Sequence, residues 1–283
     1  MKLLKRTFFA LLVISLNSPA SAQEIRVMEA KDPRNALALS VLELALSKVD
    51  KSLTTTQVDD TDNEARNISE VEAGNLDVMW AGAAQEKDER LMAVRIPILK
   101  GMLGHRIFII RNGDQYRFDN INSLNDLKTL NAGQGTFWGD TRVLKAAGIP
   151  TLTTIKYPNL FKMLEGERFD YFPRAVHEPW PEVASRPELN LTVEKNLMLI
   201  YPFAMFFYVN KSDHELYDKI YRGFEMAIKD GSFDELFFNN PSIKDVLEKA
   251  NMGGRKIFRI DNPYMHPDTP FDRKEFWLDI SQL

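Results

Sequence analysis

Cysteine is absent from all 283 residues. No disulfide can brace the fold and no thiolate can act as nucleophile or metal ligand, so stability has to come from apolar packing, for which a chain of this length suffices. Histidine is nearly as scarce, and the four present, His105, His177, His214 and His266, form no H-x-H or H-E-x-x-H string, which removes the usual zinc patterns. There is no G-x-S-x-G string to mark a nucleophile elbow. Long apolar runs are also missing: the stretch Thr7 to Leu16 is about half of the roughly 20 residues that a bilayer crossing needs. A formal net charge of -4 lacks the basic excess of a nucleic-acid or anionic-membrane binder, and neither partner is expected.

What is present begins with that short apolar run. Lys2, Lys5 and Arg6 precede it and Ala20-Ser21-Ala22 follow it, the arrangement of a secretory signal cleaved near Ala22. The mature chain is expected to begin near Gln23 and to work outside the inner membrane.

From there the chain alternates strands and helices. "EIRVMEA" (24–30) predicts a strand, and "NALALSVLELALSKV" (35–49) a strongly apolar helix capped by Asn35. A second helix is expected from Asp62 to a stop at Gly74, followed by a buried strand from Leu76 to Trp80. This β-α-β-α-β order predicts a mostly parallel sheet with helices on both faces. The grammar recurs in "LKTLNAGQG" (127–135), a strand running into glycines, in the helix 139–149 closed by Gly148, and in the helix, glycine and strand of 159–174. "SEVEAGNLDVMW" and "FKMLEGERFDYF" share one pattern, which fits two similar α/β units, although any α/β chain produces such echoes.

After "MLIYPFAMFFYVNK" (198–211) the sequence turns helical. Leu216, Ile220, Phe224, Ala227 and Ile228 share one face of a helix over 215–231 that Gly231 terminates, and Ser232 and Ser242 read as caps of two shorter helices. The tail from Asn251 carries Pro263, Pro267 and Pro270 but also Tyr264, Phe271, Phe276 and Trp277, too aromatic for disorder, and is expected to wrap on a domain surface.

The order of these elements, with the strings "DVMWAGAAQEKDER" (77–90), "VRIPILKGMLG" (94–104), "SLNDLKTLNAGQGT" (123–136) and "FFYVNKSDHELYDKIYRGFEMAIKDGSFDEL" (206–236), resembles the periplasmic solute-binding proteins of the amino-acid type, the bacterial extracellular solute-binding family 3. The resemblance implies an α/β, two-lobed periplasmic binding protein type II fold, with two mostly parallel sheets and flanking helices joined by a two-stranded hinge. Residues 23–103 and 202–283 would form one lobe and 104–201 the other, crossing near 100–104 and 199–204. It further implies a monomer without cofactor that closes on a small-molecule ligand. Its partner would be an inner-membrane ABC permease, or alternatively a membrane sensor.

The same resemblance implies site residues. Arg90 matches an arginine that grips a ligand carboxylate through two parallel bonds, although "GAAQEKDER" is one residue longer than the family spacing and puts Gln85 or Glu86 where a threonine is usual. The plainer reading pairs Arg90 with Asp88 or Glu89. Free N–H groups around Thr136, before the helix at 139, suit an anion. Trp80, Phe137 and Trp138 are candidates to hold an apolar or planar part of a ligand, with core packing the competing role for Trp80. Arg174 stands where related amino-acid binders place an aspartate for the ligand ammonium, which favours an acidic ligand; alternatively it pairs with Glu178 or Asp170. The usual hairpin between the first strand and first helix is missing from "MEAKDPRNAL", so one wall of the family pocket is rebuilt. A dehydratase-like enzyme on the same fold, with Glu178 beside His177 as general acid, is the remaining alternative.

Overall fold

The computed structural model describes residues 24–58 and 63–282. The secretory signal expected over 1–22 therefore lies outside the described residues, as does the expected helix start at Asp62.

In chain order, β1 (Glu24–Met28) leads into α1 (Pro33–Val49), β2 (Thr54–Val58), α2 (Glu64–Glu72), β3 (Val78–Gly82), α3 (Gln85–Arg90) and β4 (Leu91–Val94). There follow β5 (His105–Arg111), α4 (Gln115–Asp119), α5 (Leu124–Leu127), β6 (Ala132–Gly135), α6 (Gly139–Ala146), β7 (Thr151–Thr154), α7 (Tyr157–Glu165), β8 (Phe172–Ala175), α8 (Pro179–Ala184), β9 (Leu191–Val193) and β10 (Leu197–Ile200). The chain ends through β11 (Met205–Asn210), α9 (His214–Lys229), α10 (Ser232–Asn239), α11 (Pro241–Ala250) and β12 (Lys256–Arg259), followed by single 3-10 turns.

These strands make two large sheets. The first has the order β2-β1-β3-β11-β4, and the second β12-β10-β5-β8, with β9 also on β5. β6 and β7 form a parallel pair that reaches the second sheet through a bridge from Ala132 to Tyr171. Pairing is parallel within β2-β1-β3, but β11 runs antiparallel to β3 and β4, and β5 antiparallel to β8, β9 and β10. The reversals fall where the chain passes between sheets through short links rather than helical crossovers. One link runs from β4 to β5 and the other, of four residues, from β10 to β11. They pack back to back: Tyr201 N–H donates to the Gly104 carbonyl at 3.1 Å, and a Cβ on Gly104 would lie 1.8 Å from the Tyr201 oxygen.

Several local expectations shift by a few residues, each for a chemical reason. α1 is capped by Asp32, whose carboxylate accepts from Asn35 N–H at 2.9 Å, because Pro33 at the first helical position has no N–H to satisfy. Asn63 caps α2, Gly231 precedes α10, and Asn240 rather than Ser242 caps α11 ahead of Pro241. The strand expected from Leu127 begins only at Ala132, since Ser123 and Asp126 form a capping box that holds 124–127 in a helical turn. The expected division assigns all of 202–283 to the first lobe, whereas β12 pairs in parallel with β10 in the second sheet. Beyond it the tail returns to the first half, where Leu278 N–H donates to the Lys100 carbonyl and Lys100 Nζ bonds the Glu275 carbonyl.

The largest apolar cluster surrounds the first sheet, with α1 and α9 side by side; two smaller clusters fill the second half. Among the described residues no helix is long and apolar enough to cross a membrane.

Candidate functional site

Between the two large sheets lies a cavity of about 420 Å³. One wall is the end of β3 and the start of α3, at Gly82 to Lys87; the opposite wall is the loop into α6, at Phe137 to Val143. Leu103 and Phe203 of the two crossings, with Arg106 and Met205 at the starts of β5 and β11, complete its lining. Such a position, at strand carboxyl ends and helix starts, is where α/β sheets offer ligand contacts.

Arg106 is the most deeply buried cation of this lining. It is 2% exposed, donates from Nη2 to Asp140 Oδ1 at 2.6 Å and lies over the rings of Tyr201 and Phe203. Tyr201 Oη donates to the same Asp140 oxygen at 2.7 Å, and burial raises its phenol pKa above the ordinary value. Glu178 Oε2 approaches Arg106 at 3.9 Å and also accepts from Ala175 N–H at 2.7 Å. Burial alone would raise the Glu178 carboxyl, but the charges of Arg174, His177, Arg106 and Arg34 outweigh it and hold the group at about 2.

Arg174, at the end of β8, is 7% exposed and heavily engaged. Its Nε and Nη2 both donate to Glu182, at 2.8 and 2.6 Å, and Nη2 is 3.0 Å from Glu178. The guanidinium lies over Phe172 and Trp138. Burial disfavours its charge, yet the two carboxylates prevail and raise its pKa. Its partners are therefore Glu182 and Glu178; Asp170 pairs with Arg117 instead.

The eight expected site residues separate into two groups. Gln85, Phe137, Trp138, Arg174 and Glu178 line the cavity. Phe137 stands 82% exposed at its mouth, and Gln85 donates to Glu89 at 2.9 Å. Arg90, Thr136 and Trp80 do not line it. Arg90 forms a two-point pair with Glu72 and a contact to Ser69, so its charge is satisfied away from the cavity. Thr136 uses its backbone N–H on the Thr154 carbonyl, at 3.0 Å, extending the β6–β7 pairing rather than offering an anion site. Trp80 is 3% exposed, edge-on to Phe207, with its indole N–H on Asn35 at 2.9 Å, the core role that competed in the sequence.

Other lining residues were not foreseen: Arg34, Lys87, Arg106, Asp140, Arg142 and Tyr264. Arg34 and Asp140 lie in first helical turns that directly follow strand ends, a signal available in "MEAKDPRNAL" and "GTFWGDT". Arg34 is only half-buried, and it is less engaged than the lining cations Lys87, Arg106 and Arg174. Asp32, its nearest carboxylate, is 3.8 Å away, and its Nε is buried with no hydrogen-bond partner. Arg142 rests on the Tyr264 ring at 4.4 Å. By contrast Lys87 is held by Glu64 at 2.5 Å. Among the described residues no cluster of three or more His, Asp or Glu side chains could hold a metal.

No protein-family model matches the chain, and no curated protein matches it. Solved structures do. An ancestral arginine-binding protein bound to arginine is 19% identical, with a TM-score of 0.52 over 77% of this chain and 98% of its own. The probable amino-acid ABC transporter extracellular-binding protein ytmK from Bacillus subtilis is 14% identical, at 0.57 over 79% and 99%. The GluR0 ligand-binding core in complex with L-glutamate is 13% identical, at 0.55 over 79% and 99%. The chain has the two-lobed type II periplasmic binding fold. At these identities the likeness is one of fold, and it matches the fold read from the sequence. In a type II binding fold the cavity between the two sheets is the natural candidate site, and its neighbours are binding proteins.

Proposed function

We propose that this protein is a periplasmic solute-binding protein that captures a small organic acid between its lobes, closes about the two crossings, and delivers the solute to an inner-membrane ABC permease. The fold supports capture, and its neighbours, an arginine-binding protein and a probable amino-acid ABC transporter binding protein, support amino-acid-like solutes and ABC uptake. The acidic preference rests on one observation: Arg34 faces the cavity with a buried Nε that nothing inside the protein satisfies. The lining carboxylates Glu64, Asp140 and Glu178 are each already held by Lys87, Arg106 and Arg174, and the fourth, Glu86, is solvent-exposed with Arg90 3.9 Å away. A ligand ammonium would find those carboxylates spent, whereas a ligand carboxylate would complete Arg34 and meet Arg142 at the mouth.

A hydrogen bond to a charged group contributes about 1.5–3 kcal/mol, so Arg34→Gln is expected to weaken binding of the stabilising acid by roughly ten- to a hundredfold in calorimetric titration. An unchanged dissociation constant would remove Arg34 from the site. Deletion of the gene should abolish uptake of that acid; if the protein serves a membrane sensor instead, uptake stays intact.

A further inference from the structure

A second cavity, of about 760 Å³, adjoins the first: Arg34 and Glu178 line both. Like the first it lies between the halves of the molecule, with α1, the first crossing and α11 on one side and α8 on the other. Its apolar wall consists of Leu37, Leu99, Met102, Trp180, Ile243 and Val246. The carboxylates around it are engaged. Asp32 caps α1, Glu182 is bound to Arg174 and Tyr157, and Asp245 pairs with Lys249. His177 also lines this chamber, and its Nε2 is buried without a hydrogen-bond partner. Burial lowers the His177 pKa to about 4, so the ring is neutral near pH 7. The chamber therefore offers apolar surface, one neutral imidazole edge, the exposed Asp245–Lys249 pair and, at the partition, the half-buried Arg34 with its unpartnered Nε. A second carboxylate or an ammonium placed there would lose its hydration without gaining a free counter-charge.

We propose that the two cavities are one site for an amphipathic organic acid, whose carboxylate meets Arg34 at the partition and whose alkyl or aryl body fills the second chamber. This rests on the reading above that the cleft binds an organic anion. The volume lies in the range that holds drug-sized molecules, more than a compact dicarboxylate occupies.

The test is calorimetric titration of the full-length protein, processed as the cell processes it, with straight-chain carboxylates from acetate to octanoate, with 3-phenylpropanoate, succinate and hexylamine alongside. Affinity is expected to rise about three- to fourfold for each methylene, with hexylamine not binding. Val246→Phe and, independently, Ala184→Phe, at the end of α8 where it also lines the chamber, each fill it and should weaken octanoate at least tenfold while leaving acetate within twofold; one folded variant suffices. A flat chain-length series with succinate bound would overturn the two-chamber site and leave the organic-acid reading standing. Binding of hexylamine but of no acid would overturn both, and so would binding of none of these compounds. A rising series that neither substitution affects would overturn the location.

Discussion

Arg174 is buried at the end of β8, with Glu182 meeting it through two N–H groups and Glu178 close to a third contact. A guanidinium taken out of water this way is tolerated only while its partners are in place, because breaking a buried pair leaves an uncompensated charge at a cost of about 3–5 kcal/mol. Glu182→Ala is accordingly expected to lower unfolding free energy by roughly that amount in urea titration at unchanged m-value, and Glu182→Gln, which keeps an acceptor, by less. A loss below about 1 kcal/mol for Glu182→Ala would mean that Glu178 alone carries the charge. The sequence made Arg174 conspicuous and offered Glu178 as a partner. It did not single out Glu182, although Glu178 and Glu182 are four apart and the turn started by Pro179 sets them on one face. Arg34 was passed over for a related reason: two residues past Asp32 it reads as a solvated charge in a helix start, and only the sheets assembled around it show its Nε buried.

At the scale of elements, α1 and α9 explain why both are legible and why their fit is not. Buried positions on α9 recur at Leu216, Ile220, Phe224 and Ala227, a stripe that identifies the helix from sequence. Between them Gly223 lets the helices approach until a Cβ there would lie 1.9 Å from the Ala45 carbonyl oxygen. In an exposed helix Gly→Ala stabilises by about 1 kcal/mol through backbone entropy. Here overpacking costs about 1–3 kcal/mol and should reverse the sign. Gly223→Ala is expected to lower the melting temperature followed by circular dichroism, and a raised one would show that the helices can separate freely. Helix starts were less legible because Ser, Asn and Asp cluster before each: the residue chosen as cap was Asn35 or Ser242, while the backbone selects Asp32 and Asn240, the residue ahead of proline in each case. The "LKTLNAGQG" strand was overextended because the Ser123–Asp126 box claims its first residues.

For the whole molecule, the order of elements carried the fold, since alternating strands and helices with two short links between halves leave few arrangements. Sheet membership of the tail was not legible: β12 is four residues long, and its place beside β10 depends on contacts across more than fifty residues of sequence. The cleft likewise arises only when β3, α6, both crossings and Tyr264 of the tail converge, which is why five of the eight expected residues reach it and Arg90, Thr136 and Trp80 do not. The central claim is that this cleft takes an organic acid, and a thermal-unfolding screen of carboxylic acids against amino acids and polyamines addresses it most directly. An acid at 100 times its dissociation constant should add about 2.7 kcal/mol to stability. Stabilisation by polyamines or other cations alone, with every acid inert, would contradict it.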